Sequence, residues 1–194
     1  MKPATYRFSA SIMSKYCGLF RRIGRRRFLK RIWETMDLEF IKRKNNRLED
    51  FDYSDPNNIY YITICSHNKN KYFIDNKINK IILDEIDFRT IEEIDLYCYC
   101  LMPDHLHLLI KLKESYKKGL ANWISAYKRY TTRIVNFYFG IKPLWQRNFY
   151  DHVVRKEESL KAIAEYIINN PARKDIVSYW EDYPYSKIVD DLPI

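Results

Sequence analysis

The run CYCLMPDHLHLLIKL, residues 98–112, constrains the fold more than any other part of the chain. Two apolar stretches of strand length flank Pro103-Asp104, a dipeptide that favours a turn, so the segment predicts a β-hairpin. The alternation then assigns faces. Residues i and i+2 of a strand point the same way, which puts Leu106 and Leu108 on one side and His105 and His107 on the other. Cys98 and Cys100 share a side by the same rule. A lone buried histidine is usually a hydrogen-bonded structural residue. Two imidazoles side by side at the mouth of a hairpin commonly share a metal ion, which makes the pair a candidate site.

The neighbouring sequence places this hairpin in a fold. IYYITICS, residues 59–66, is a β-rich run, and residues 73–93 carry Ile78, Ile81, Ile82 and Ile86 near helical spacing. After the hairpin, Leu120, Trp123, Ile124, Tyr127, Tyr130, Ile134, Phe137 and Tyr138 form the stripe of a long helix. NFYDHVVR, residues 148–155, reads as a short strand. EESLKAIAEYIINN, residues 157–170, reads as a last helix that stops at Pro171. The order strand, helix, strand, strand, helix, strand is the split β-α-β arrangement of a ferredoxin-like α+β fold. Its antiparallel sheet has helices on one face, and the last helix is an addition. Such a fold hosts many functions, so it does not choose among them.

The first 55 residues differ from the rest. FRRIGRRRFLKRIW, residues 20–33, packs seven Lys/Arg between Arg21 and Arg31 with aromatic and aliphatic residues between them. Residues 45–58 follow as a polar linker, so the division expected is a basic arm with linker over 1–55 and one domain over 56–194. The arm reads either as a solvated tail or as a phosphate-binding element, with membrane-surface binding a weaker third reading. A formal charge of +9 favours polyanionic partners, nucleic acid first. Four cysteines without CxxC spacing (Cys17, Cys65, Cys98, Cys100) read as reduced thiols rather than zinc ligands or disulfides. No apolar run suits a signal peptide or a membrane span, which points to a soluble cytoplasmic protein.

The last helix offers a third ligand for the histidine site. Asn170 lies four residues after Tyr166, so both are expected to project from one side at the margin of the stripe Leu160, Ile163, Ala164 and Ile167. An amide oxygen with two imidazoles makes a mixed, open site that suits Mg²⁺ or Mn²⁺. The plainer reading is that Tyr166 packs and Asn170 merely ends a helix before proline. Trp145, Gln146, Arg147, Tyr150 and His152 cluster before and within the fourth strand, with Tyr150 and His152 on one face. Arg147, Lys128, Arg129, Arg155, Arg173 and Lys174 are candidate phosphate contacts, although any one of them could be only a solvated charge. His67 has no evident partner.

MPDHLHLLI, LWQRNFYDHVVR and YIINNP, in this order, resemble the HUH-type single-tyrosine transposases, in particular the branch called REP-associated tyrosine transposases. The resemblance covers about residues 59–188. It implies that His105 and His107 hold the divalent ion with Asn170, and that Tyr166 is the nucleophile. Tyr150 stands as the alternative nucleophile. The implied activity is metal-dependent cleavage and transfer of single-stranded, hairpin-forming DNA through a 5′-phosphotyrosine link, by a monomer or a homodimer. The competing reading is a nucleic-acid-binding protein on the same fold that does not cut. A replication-initiator nuclease with the same chemistry is the more distant option.

Overall fold

The computed structural model describes residues 51–155, 160–188 and 192, so the readings made for residues 1–50, Cys17 among them, lie outside the described residues. Five strands are present among the described residues: β1 (Ile59–Cys65), β2 (Ile94–Met102), β3 (His105–Leu112), β4 (Tyr150–Val153) and β5 (Ser186–Ile188). They form one antiparallel sheet in the order β4-β1-β3-β2-β5. The helices are α1 (Asn76–Arg89), α2 (Gly119–Phe139), α3 (Leu160–Ile168) and the short α4 (Asn170–Arg173). The first four strands with α1 and α2 make the expected ferredoxin-like α+β arrangement. The edge strand β5, only three residues long, is an addition that the sequence reading did not contain.

Alternation decides what each face of the sheet does. Tyr60, Ile62 and Ile64 of β1 join Leu106, Leu108, Ile110 and Leu112 of β3 in a dry core with Ile78, Ile82 and Ile86 of α1. Leu120, Trp123, Ile124 and Tyr127 of α2 close it. Each such side chain taken from water contributes roughly 1.5–3 kcal/mol, which makes this layer the main source of stability. Helix α1 starts cleanly because Asp75 Oδ1 accepts the Lys77 amide at 2.7 Å. At the start of α2, Gly119 has φ +68, and the carbonyl of Tyr53 lies 3.4 Å from where a β-carbon would stand. The space would admit a β-carbon in ordinary contact, so it is the left-handed φ that favours glycine there.

The other face carries a second, smaller apolar layer. Helix α3 lies over β2, β3 and β5, burying Ile163, Ala164, Ile167 and Ile168. Cys98, Cys100, Met102 and Leu109 are buried on this face of the sheet. The cysteines are free thiols, as expected. Their facing depends on a bulge at Tyr97: Leu96 pairs with Ile110, whereas Cys98 pairs with Leu109. The extra residue shifts the alternation by one, so Ile94 and Leu96 serve the main core and the next even positions serve the other face.

The structure departs from the sequence pattern at three places. The stripe of α2 runs through Thr131 and Val135, both fully buried, and not through Tyr130, Phe137 and Tyr138, which are 40%, 78% and 68% exposed. Those aromatic side chains stay out of the core cluster, so the apolar pattern of the helix outlasts the core. The last helix does not stop at Pro171. It breaks at Asn169 and restarts as α4 with the proline in the first turn, where a missing N–H removes no helical bond. Nor is the stretch up to residue 55 wholly a polar linker. Phe51 and Tyr53 pack against the core, Tyr53 stacks on Tyr60 at 6.2 Å, and the Tyr53 carbonyl accepts the Leu120 amide.

The corrected stripe has a direct consequence for stability. Ile124→Ala should lower the urea-derived unfolding free energy by about 3 kcal/mol, whereas Phe137→Ala should stay within about 0.5 kcal/mol of the parent.

Candidate active site

The register of β1 against β3 builds the site. Thr63 pairs with His107 and Cys65 with His105, so Tyr61, Thr63 and Cys65 share the face of the two histidines. His107 is 6% exposed and His105 stands nearer the rim. The Nδ1 atom of each ring is engaged by the protein. Asp104 Oδ1 lies 2.5 Å from His105 Nδ1. Thr63 Oγ1 and the Tyr61 hydroxyl lie 2.9 and 3.1 Å from His107 Nδ1. The two Nε2 atoms are thereby turned toward one another, 3.0 Å apart.

That geometry fits a shared cation. Two ligands on neighbouring corners of an octahedron, each about 2.1 Å from a Mg²⁺-sized ion, are about 3.0 Å apart. A tetrahedral pair around zinc would be about 3.4 Å apart. The same separation also suits an N–H···N bond, so the rings are satisfied with or without an ion. Burial, with His105 and Arg173 nearby, pushes His107 well below the ordinary histidine range and keeps it neutral, the form that can ligate. Asp104 as a carboxylate on a ligand's far nitrogen is the usual arrangement for fixing a histidine tautomer.

Tyr61 was not among the residues singled out from sequence, yet it is central. It is 7% exposed, its hydroxyl reaches His107, and Tyr166 and Tyr150 both stand edge-on to its ring, at 6.3 and 6.1 Å. Burial holds its phenol protonated, far above the usual range. Tyr61 is therefore a positioning group rather than a nucleophile. Its signal in the sequence was the alternation of YYIT in β1, legible only once β1 is known to neighbour β3. Asp104 was read as a turn residue alone; its bond to His105 is a second function that the adjacent histidine could have suggested.

The expected site residues divide accordingly. Tyr166 in α3 is partly exposed, with the Arg173 guanidinium 4.5 Å from its ring centre, so the structure brings together His105, His107, Tyr61, Tyr166 and Arg173. Tyr150 joins them from β4, where it pairs with Thr63. Asn170 is not a marginal side chain. It is 5% exposed and opens α4, with Nδ2 donating to the carbonyls of Tyr166 and Ile167 at 3.0 and 3.2 Å. Its Oδ1 accepts no hydrogen bond among the described residues. His152 pairs with Tyr61 and shares the face.

Lys128 has a different task from the one its charge suggested. Its ammonium donates to the carbonyls of Gln146 and Asn148 at 3.0 Å and of Arg147 at 3.4 Å, so it staples the loop before β4 to α2. Trp145 is likewise core, with its Nε1 donating to Thr131 Oγ1. Arg129, Arg147, Arg155 and Lys174 are exposed.

The sequence pattern of a family described as transposase, IS200-like, matches residues 56–170, more than half of the chain. The chain belongs to this family. Other similarities agree with that placement of the IS200-like transposase. A REP-associated tyrosine transposase of Escherichia coli K12 is 20% identical over 133 residues, covering 69% of this chain and 78% of that protein. A Haemophilus influenzae protein named provisionally as a REP-associated tyrosine transposase is 26% identical over 149 residues, covering 69% and 81%. The solved structure of a REP-associated tyrosine transposase bound to a REP hairpin superposes with a TM-score of 0.58 at 20% identity, covering 72% of this chain and 82% of that one. Its likeness shows the same fold. The protein is accordingly an enzyme acting on DNA. Among the described residues no helix is long and apolar enough to cross a membrane.

The Lys128 staple yields a pH test. Burial pulls its ammonium down from 10.5 to about 8. The unfolded chain then binds the proton more tightly than the folded one, so stability should rise between these two values. Measured by urea unfolding from pH 7 to 10, the parent should gain stability relative to Lys128→Met as pH rises; a flat difference would refute the burial of the charge.

Proposed function

We propose that this transposase cuts and rejoins single strands of hairpin-forming DNA, with Tyr166 as the nucleophile and a Mg²⁺ or Mn²⁺ ion held by His105, His107 and Asn170. The observation that carries this reading is the convergence of the two Nε2 atoms while both Nδ1 atoms are engaged by protein groups. When bound, such an ion neutralises the oxygens of the scissile phosphate. The choice between the two metals leans to Mn²⁺, since imidazole is a softer ligand than Mg²⁺ usually takes. The hairpin substrate is supported by the relative that is described as bound to a REP hairpin.

The residues of the chain perform the remaining work. Asp104, Thr63 and Tyr61 fix the imidazoles, and the buried Tyr61 ring gives Tyr166 an edge to pack on, which limits where its hydroxyl can point. Arg173 stacks on the Tyr166 ring and places positive charge beside the attacking oxygen and the incoming phosphate. The phenolic oxygen attacks phosphorus in line. The phenol releases its proton to solvent as an oxygen–phosphorus bond forms to Tyr166, the bond from phosphorus to the 3′-oxygen breaks, and the 3′-oxygen takes up a proton from solvent as a free hydroxyl. The diester free energy is kept in the 5′-phosphotyrosine link, so a 3′-hydroxyl can later attack it and restore a continuous strand without ATP.

Tyr150 packs on the same ring as Tyr166 and is the rival nucleophile. Mixing purified protein, labelled hairpin DNA with single-stranded flanks and Mn²⁺, then running a denaturing gel, separates the readings. The expected result is a covalent adduct with the parent and Tyr150→Phe, none with Tyr166→Phe, and a loss of at least about a hundredfold with His105→Ala. Loss at Tyr150→Phe alone would move the nucleophile to β4. Tight binding without adduct from any variant, over a panel of hairpins, would make the chain a non-cleaving DNA-binding relative.

A further inference from the structure

The end of the sheet at which His105 stands carries a rim that the proposed reaction does not use. Three loops meet there. Ser66 N donates to the Asp104 carbonyl at 2.8 Å, His67 N to the Leu144 carbonyl at 2.8 Å, and Gln146 N to the Cys65 carbonyl at 2.9 Å. With Lys128 tying down residues 146–148, the segment 67–71 and the loop before β4 are fixed against the turn that holds Asp104 and His105. This is a rigid base at the edge of the site.

What the rim presents is cationic and amide-rich. Asn68, Lys69, Asn70, Lys71, Arg147 and Asn148 are all exposed. Among the described residues, no hydrogen bond or ion pair engages the side chains of Lys69, Lys71 or Arg147, whereas Lys80, Arg89 and Lys113 each meet a carboxylate. The backbone at the tip is unusual as well. Asn68 and Lys69 have φ of 54° and 55°, two successive left-handed residues. Asparagine tolerates that conformation, but lysine does so at a cost that glycine would avoid. Ser66 Oγ, donating to the Asn70 carbonyl at 2.7 Å, closes the loop around it. A strained lysine held out beside a polar site is the kind of compromise that binding maintains.

We infer that this rim is where the single-stranded flank next to the scissile phosphate is gripped, with Lys69, Lys71 and Arg147 on phosphates and the amides of Asn68 and Asn148 facing bases, while the Asn70 amide donates to the Tyr72 hydroxyl at 2.8 Å. The inference rests on the reading of the site given above. Cations fix the register of the strand and carry no sequence information, while amides can pair with base edges. The rim meets the site through Asp104, so a strand lying on it leads straight to the histidine pair.

The test is a binding titration by fluorescence anisotropy, without metal, over a range of salt concentrations. Two labelled DNAs are used, a hairpin with a flank of about ten nucleotides and the same hairpin without it. The proteins are the parent, Arg147→Ala, the pair Lys69→Gly with Lys71→Ala, and a control pair of equal charge, Lys117→Ala with Lys118→Ala, which lies beyond the far end of β3. The rim pair should weaken binding of the flanked hairpin about tenfold and lower the salt slope by about 1.4, two single-strand phosphates' worth. Arg147→Ala should lower the slope by about half as much. The bare hairpin should be unaffected, and the Tm of the rim pair should equal or exceed that of the parent, because the left-handed strain at position 69 is relieved. Equal losses from rim and control pairs, or equal losses on both DNAs, would overturn the inference. A parent that forms no adduct but shows the rim effect would sink the cleavage reading and leave the rim standing.

Discussion

The pairing of β1 with β3 is the constraint on which the rest of this structure depends. A strand has two faces and a period of two, so a slip by one residue would exchange them. Held in its observed register, β3 sends Leu106 and Leu108 into the main core and His105 and His107 to the opposite face. The same register brings Thr63 opposite His107 and sets Tyr61 within reach of the same ring. The apolar residues thus do more than stabilise the domain. By fixing register they aim the imidazoles.

The site face contains more buried polar chemistry than a stable sheet needs. A buried histidine, an adjacent buried tyrosine and a buried asparagine each require partners, because an unpaired buried polar group costs about 1–3 kcal/mol. Each has one: His107 has Thr63 and Tyr61, and Asn170 has the end of α3. The hydroxyls of Thr63 and Tyr61 can donate or accept, so they suit either tautomer of His107. The Asp104 carboxylate can only accept, which holds His105 with its proton on Nδ1. One ring is locked and the other can switch. Such a pair can close on itself through an N–H···N bond and open to an ion without leaving a buried group unpaired.

Much of this was legible in the sequence, and the parts that were not share a cause. The hairpin at Pro103-Asp104, the shared face of the two histidines and the ferredoxin-like order all follow from local period and turn chemistry. Tyr61 was missed because its role comes from a neighbouring strand distant in sequence. The fate of Lys128 was missed because three carbonyls of a loop, not a charge pattern, claim its ammonium. The bulge at Tyr97 changes the facing of half of β2 and leaves no mark in composition. Phe137 and Tyr138 continued the helical stripe but are exposed, since a sequence period cannot say what the stripe packs against. Asn170 was placed at one turn from Tyr166, yet the chain breaks at Asn169 and folds the amide back under the helix end.

Under the proposed function, the two imidazoles are a preorganised pair whose Nε2 atoms take a cation together. Nitrogen-15 NMR of the histidine rings tests it most directly, with and without saturating Mg²⁺, which is diamagnetic. His105 should keep its proton on Nδ1 throughout, while His107 should move its proton from Nε2 to Nδ1 when the ion is added, and both Nε2 signals should shift together. Ring signals of His105 and His107 that do not respond to Mg²⁺, or a response confined to one ring, would contradict it.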